Sequence, residues 1–332
     1  MGDVAMIVPV LRAFSAQYPQ AKITVVSRPF FKPLFNDISN LHFFEIDLNQ
    51  KHKGFFGLLR LFSDLRQLKI THFADLHNVL RSKIVRSLFG LKGIPVAFIN
   101  KARKEKKELT RFENKIFKPL KPMFERHAEV FKQLGFSIDL QNPVFPKKPV
   151  LSEKIQIISG IKTQKWIGIA PFAQYESKVY PLDLMQKVID ELAPEKPCKI
   201  FLFGGGESEI SKLNQLQNQH ENVVVVAGKI IFEEELQLIS NLDLMLSMDS
   251  GNGHIAAMLG VKVLTIWGAT HPFAGFTPFN QPLENSLTPD TNLFPALPTS
   301  IYGNKKVDGY EHAMRSIEPE KIVLSVRSLL GV

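Results

Sequence analysis

Residues 244–267 read LMLSMDSGNGHIAAMLGVKVLTIW. Leu244 to Met248 is a short apolar run, and Val261 to Trp267 is a second one rich in β-branched residues. Between them Asp249-Ser250-Gly251-Asn252 breaks the run, and Gly253 to Leu259 supplies helix formers. Two buried strands joined by a helix of this length form a parallel crossover. The helix starts where the first strand ends, so its free amides and positive dipole end fall at the carboxyl edge of the sheet. Doubly wound domains bind their ligands at that edge.

The same alternation extends outward. Strands are predicted at Trp166–Ala170, Lys199–Phe203 and Val223–Val226. Helices are predicted at Pro181–Leu192, with Pro181 in the first turn, and at Glu207–Gln217, Glu233–Asn241 and Glu318–Leu330. Residues 275–310 are rich in Pro and Asn and read as loops. The first half alternates too. Helical spacing covers Val4–Tyr18, Phe55–Leu68 and Val79–Leu88, and strands are expected at Lys22–Val26, Leu41–Ile46, Ile70–Leu76 and Val96–Ile99. Lys101 to Arg126 is dense in Lys, Arg and Glu and reads as an exposed helical excursion. Asn142 to Lys165 opens with three prolines and reads as the linker.

At 332 residues the chain suits two domains. The expected fold is α/β: two Rossmann-like doubly wound domains, spanning 1–150 and 151–332. Hydrophobic residues make up 45% and charged residues 22%, an ordinary globular balance. No uninterrupted apolar run is long enough for a transmembrane helix, and no charged leader precedes an apolar core, so neither a span nor a secretory signal is expected. Met1-Gly2 resembles a myristoylation start, but position 6 is Met, which rules that reading out. The single cysteine, Cys198, forms no internal disulfide and fits a reducing cytoplasm as a small core residue at a strand start.

The net charge of +9 is uneven. Residues 1–150 hold 26 Lys and Arg against 12 Asp and Glu, whereas residues 151–332 hold 15 against 20. A basic half implies an anionic partner, or else a solvated basic face. Charge alone also raises nucleic acid as a partner, but no basic–aromatic platform supports it, so no nucleic acid is expected.

Three loops of the second half follow strands. Ala170 to Pro181 carries Lys178, either a surface lysine or a charge for a phosphate. Phe203-Gly204-Gly205-Gly206-Glu207 allows close backbone approach, with Glu207 placed to accept ribose hydroxyls or to cap a helix. It lacks the spacing of a dinucleotide fingerprint. In Asp249-Ser250-Gly251-Asn252-Gly253-His254, Ser250 and the amides that follow suit a diphosphate. Asp249 is better suited to orienting the loop through its backbone amides. Taken alone this loop is an N-capped helix; beside the other two it favours a nucleotide site. Gly2-Asp3 precedes the first helix, where Asp3 is either a cap or a general base. Spacing does not choose.

With those residues in view, the chain resembles glycosyltransferase family nine, the ADP-heptose:lipopolysaccharide heptosyltransferases. Asp249-Ser250-Gly251, His254, Ala256-Ala257, Gly260 and Gly268-Ala269-Thr270 are similar to the family's D-[ST]-G-x-x-H-x-A-A-x-x-G…G-x-T. Lys178-Val179-Tyr180-Pro181 resembles its K-x-W-P, with Tyr for Trp. Gly205-Gly206-Glu207 resembles its G-G-x-x-E-like loop, and Gly2-Asp3-Val4 with Pro9 and Leu11 resembles its opening motif. Asp75-Leu76-His77 with Arg81-Ser82 resembles an acceptor-side segment, and His127-Ala128 a weaker one.

The resemblance implies a GT-B fold and an inverting enzyme that uses no metal and no cofactor. Asp3 would be the catalytic base. Lys178, Glu207, Asp249, Ser250, Gly251 and His254 would hold an ADP-heptose donor, with Glu207 on the ribose side. Arg81 and lysines of the first half would face an anionic lipopolysaccharide core acceptor at the inner-leaflet membrane surface, which places the protein in the cytoplasm, peripheral at the inner membrane. Two alternatives remain: a nucleotide-sugar epimerase of the same fold, and a non-catalytic nucleotide-sugar binding protein. The second arises because the strand that usually precedes Gly-Asp in the family is absent here. The first domain is therefore expected to lack its first, central strand.

Overall fold

The computed structural model describes residues 1–194 and 198–331. They form two compact units. One holds residues 3–102 and 121–145; the other holds 103–120 and the chain from residue 146 on. A boundary near residue 150 places segment 103–120 in the first half, whereas in the structure it packs with the second unit.

In the first unit the elements run α1 (Gly2–Ala5), α2 (Val8–Gln17), β1 (Ile23–Ser27), β2 (Leu41–Glu45), α3 (Gly54–Arg66), β3 (Phe73–Asp75), α4 (Leu80–Gly90) and β4 (Val96–Phe98). The chain then leaves for α5 (Arg103–Thr110) and returns for α6 (Met123–Gln133). The helix expected over Val4–Tyr18 is broken at Met6-Ile7. Pro9, in the first turn of α2, has no N–H for the carbonyl of Ala5, so one continuous helix is not possible. Helix α2 buries Val8, Val10, Leu11 and Phe14, and Phe14 packs its ring against Phe131 of α6 at 4.9 Å. Leu58, Leu61 and Leu65 of α3 pack on Val85 and Phe89 of α4, the i, i+3, i+7 stripe visible in the sequence. Strands β1 and β2 pair in parallel, and so do β3 and β4, but among the described residues these are two separate two-stranded sheets.

The second unit has one continuous sheet. Its elements are α7 (Glu153–Ser159), β5 (Lys165–Ala170), α8 (Leu182–Leu192), β6 (Cys198–Leu202), α9 (Glu207–Gln217), β7 (Val223–Val225), α10 (Phe232–Ser240), β8 (Leu244–Met248), α11 (Gly251–Met258), β9 (Lys262–Ile266), β10 (Ser286–Leu287) and α12 (Pro319–Leu330). All strands are parallel in the order β10-β9-β8-β5-β6-β7. Counted within the unit this is the doubly wound order 3-2-1-4-5-6, whose direction reverses between β5 and β8. Those two strands are apolar on both faces because helices cover both faces of the sheet.

Two sequence expectations are corrected. The linker over 142–165 contains α7, capped by Ser152, whose hydroxyl accepts the Ile155 N–H. The exposed excursion over 101–126 is partly buried: α5 hides Lys106 and Leu109, and Lys115 donates to the carbonyls of Ala296 and Pro298. Cys198 begins β6 and is buried, as expected of a small core residue. No helix among the described residues is long and apolar enough to cross a membrane.

Candidate functional site

The reversal between β5 and β8 sets the chemistry of the second unit. The loop leaving β5 brings Lys178, and the loop leaving β8 brings Asp249. Lys178 Nζ lies 2.9 Å from Asp249 Oδ2, and both side chains are largely buried. The same carboxylate oxygen accepts the Thr270 hydroxyl at 2.9 Å. Asp249 therefore orients a cation and a hydroxyl from neighbouring loops, instead of the amides of its own loop as expected. A buried carboxylate needs such partners, since each unmet bond costs about 1–3 kcal/mol or more.

Two glycines make this packing possible. A Cβ on Gly268 would lie 2.1 Å from the carbonyl oxygen of Ser177, the oxygen that accepts the Ala269 N–H. Gly303 has φ +84, and a Cβ there would lie 2.5 Å from Cδ of Lys178. The stem of Lys178 thus runs against bare backbone, and Ser177 Oγ donates to the Gly303 carbonyl at 2.6 Å. Further back, Tyr180 is fully buried and its hydroxyl donates to the Ile317 carbonyl at 2.6 Å, with burial raising its pKa.

Ser250 occupies the N-cap position of α11 with extended backbone, yet its side chain makes no capping bond. Its hydroxyl is buried and has no hydrogen-bond partner among the described residues. The capping role that the loop alone implies is therefore not taken up. Instead, an unused hydroxyl stands beside the free amides and positive end of α11, a setting that suits an anion. Gly251 is the first residue of that helix, and His254, in its first turn, is buried. Gly253 lets α11 close on β8, because a Cβ there would lie 2.5 Å from the Ser247 hydroxyl.

Glu207 opens α9 as an exposed side chain in the first helical turn. The carboxylate that turns back onto the glycine loop is instead Glu209, whose Oε2 accepts the Gly205 N–H at 2.8 Å. Sequence reading missed Glu209, although it stands at the last position of the G-G-x-x-E spacing counted from Gly205. It also missed Gly303, which no local pattern marks, and the bond from Thr270 to Asp249.

In the first unit Asp3 lies on α1 and is exposed, with His77 Nε2 3.8 Å from its Oδ2. Desolvation is the main cause holding His77 below its ordinary pKa, with the Lys101 charge adding to it. Asp75 is buried at the end of β3 and accepts the N–H groups of His77 and Asn78, which fixes the turn carrying His77. Arg86 is spent on structure: it pairs with Asp75 at 2.9 Å and lies over the Phe98 ring. Arg81, one turn earlier on α4, is exposed and has no ion-pair partner among the described residues. His127 on α6 is buried, and burial pushes its pKa down to about 4, so it is neutral at physiological pH.

The model of glycosyltransferase family 9 (heptosyltransferase) matches residues 58–298. The chain belongs to that family. Among its family 9 relatives is a lipopolysaccharide heptosyltransferase 1 from Campylobacter coli, 27% identical over 301 residues that cover 85% of this chain and 82% of the relative. Among solved structures, a family 9 glycosyltransferase from Veillonella parvula superposes with a TM-score of 0.73 at 17% identity, covering 99% of this chain and 94% of that one. The E. coli ADP-heptose lps heptosyltransferase II superposes with a TM-score of 0.67 at 18% identity, covering 98% and 94%. At these identities the structures speak for the fold alone. They bear out the expected α/β fold with parallel sheets, and family 9 membership makes the chain a glycosyltransferase.

Proposed function

We propose that this glycosyltransferase moves a heptose from ADP-heptose to an anionic lipopolysaccharide core acceptor by a single displacement without a metal ion. One observation carries the reading: at the strand-order reversal, the Lys178 ammonium is fixed by Asp249, itself held by Thr270, and the adjoining Ser250 has an unused hydroxyl. The lipopolysaccharide heptosyltransferase from Campylobacter coli and the E. coli ADP-heptose lps heptosyltransferase II support the sugar and the acceptor class.

In this reading the diphosphate sits on the amides that open α11, with Ser250 donating to it and Lys178 facing its charge. The acceptor hydroxyl loses its proton to Asp3 as its oxygen attacks the anomeric carbon. The bond from that carbon to the diphosphate oxygen breaks with inversion. ADP leaves with the electron pair, and its growing charge is met by Lys178 and the helix amides, the electrostatic stabilisation that contributes most in such reactions. Glu207 takes the ribose hydroxyls. Arg81 faces the anionic acceptor, and in this reading the work is done at the cytoplasmic face of the inner membrane.

The test is nucleotide affinity measured with ADP, UDP, GDP and CMP on the full chain, followed by transfer from ADP-heptose to a lipopolysaccharide core acceptor. ADP is expected to bind tightest and the product linkage to be inverted. Equal affinity for all four nucleotides, or retention of configuration, sinks the reading.

A further inference from the structure

A cavity of about 480 Å³ in the second unit is lined by none of the donor-site residues. Lys107, Thr110, Arg111 and Phe112 line one side, and Thr299, Lys305, Lys306 and Val307 the other. Four cations from two distant stretches of chain thus share one hollow. Among the described residues, the one ion pair that any of the four makes is Lys306 with Glu176, at 3.9 Å and between exposed groups. Uncompensated charges of one sign repel each other when gathered this way, and an anion in the hollow relieves that repulsion.

The hollow is built by packing and does not depend on loose side chains. Lys115 Nζ spans from the first wall to the carbonyls of Ala296 (2.5 Å) and Pro298 (3.0 Å), just before Thr299. Desolvation by burial lowers its pKa, and the two carbonyls hold the ammonium in place. Lys106 stands over the Phe276 ring at 3.9 Å, which holds α5 down. The opposite wall is fixed where Ser300 and Thr299 donate their N–H groups to the Ala269 carbonyl, and where Gly303 donates to the Ser300 hydroxyl.

We propose that this hollow binds a phosphate ester of the glycolipid acceptor, a second anion site separate from the donor diphosphate. The proposal rests on the transfer reading for the identity of the occupant. Arg111 offers a planar fork and the lysines point charges, the combination that suits phosphate. Two threonine hydroxyls add neutral donors, and Phe112, 64% exposed, offers a flat apolar face for the sugar that carries the phosphate. The volume exceeds one phosphate group and accommodates a phosphorylated sugar. Phosphate esters of this kind occur on saccharides and on membrane lipids, and the experiment separates the two sources.

The test compares wild type with two double variants, Lys107→Gln/Arg111→Gln and Lys305→Gln/Lys306→Gln. All four positions are exposed, so folding is expected to survive. With ADP saturating, glucose 1-phosphate and glucose are titrated by calorimetry. Sedimentation with phosphatidylcholine vesicles, with and without phosphatidylglycerol, runs in parallel. Wild type is expected to bind glucose 1-phosphate and not glucose, and each double variant to weaken it at least about ten-fold, while ADP affinity stays unchanged. Loss of binding to phosphatidylglycerol vesicles, with glucose 1-phosphate binding absent throughout, supports the site with the lipid headgroup as its source. Binding that the variants leave unaltered, or that ADP abolishes, overturns the proposal. So does a wild type that binds neither glucose 1-phosphate nor the phosphatidylglycerol vesicles. Failure of ADP itself to bind counts against the donor assignment, and the glucose 1-phosphate titration still judges the hollow.

Discussion

The two units present the same alternation of strand and helix in sequence, yet only one becomes a single sheet. In the second unit six parallel strands join edge to edge, with β5 and β8 at the centre. In the first unit four strands stop at two pairs. In the proposed reading phosphate chemistry follows the continuous sheet, whose reversal point brings Lys178 and Asp249 from different crossovers to within 2.9 Å. The first unit offers exposed, lightly held groups: Asp3, His77 and Arg81. If the proposed function holds, the donor platform is the buried, cross-linked site and the acceptor-side groups are the exposed ones.

The largest expected effect tests that division directly. Asp3→Asn should lower kcat by roughly a hundred- to ten-thousand-fold and leave ADP affinity unchanged, the signature of a lost proton acceptor. A wild-type rate in a transfer assay would remove the base from Asp3.

Next comes acid. His127 has a folded pKa of about 4, below its unfolded value of 6.5. Below pH 6.5 the unfolded chain takes up a proton that the folded first unit refuses. Stability is therefore lost as pH falls from 6.5 toward 4, by about 3 kcal/mol in all, and levels off below that. His271 in the second unit is likewise pushed down to about 4 by burial, with the Lys115 charge adding to it, so the sign is the same there. Hydrogen exchange measured across this range should show both units weakening despite their unequal sheets, and His127→Leu should flatten the response of the first alone. A first unit that stays acid-labile in that variant would place the sensitivity elsewhere.

Lys178→Ala should weaken ADP by about ten- to thirty-fold, as expected for one charge-assisted contact, whereas Arg81→Ala should leave ADP affinity alone and raise the KM for acceptor. Equal effects on ADP from both variants would erase the donor–acceptor contrast. The smallest effect is expected from Thr270→Val, which removes one hydroxyl from Asp249 and should cost about 1 kcal/mol of ADP affinity through a looser Lys178. A structure of that variant with Lys178 undisturbed would argue that Asp249 alone holds it.

The second unit was the more legible of the two because its signals are local. β8 and α9 fall within the limits that periodicity predicts, and the strand-to-helix loops were placed correctly. Legibility failed where the deciding partner is distant in sequence. Nothing near Lys115 announces the carbonyls of Ala296 and Pro298, so α5 read as solvent-facing. Nothing near Gly303 announces the stem of Lys178. Residue type leaves Ser250 open between a cap and a diphosphate donor; its unused hydroxyl is a fact of three-dimensional placement. Glu207 draws the eye because it follows the glycines directly; in the structure it is Glu209, two places on in the helix, that reaches back to the Gly205 N–H.

Segment 103–120 has a practical consequence. The chain passes from one unit to the other at residues 102–103, 120–121 and 145–146, so no single cut yields two intact pieces. A fragment starting near residue 150 would lack α5 and Lys115, leaving the carbonyls of Ala296 and Pro298 without their donor. During synthesis the segment also leaves the ribosome well before the loops around Phe276 and Ala296 that it will lie against, and waits for about half the protein to follow. A faithful dissection of this enzyme therefore needs a circular rearrangement or a co-expressed peptide, since a simple truncation removes part of the unit it is meant to isolate.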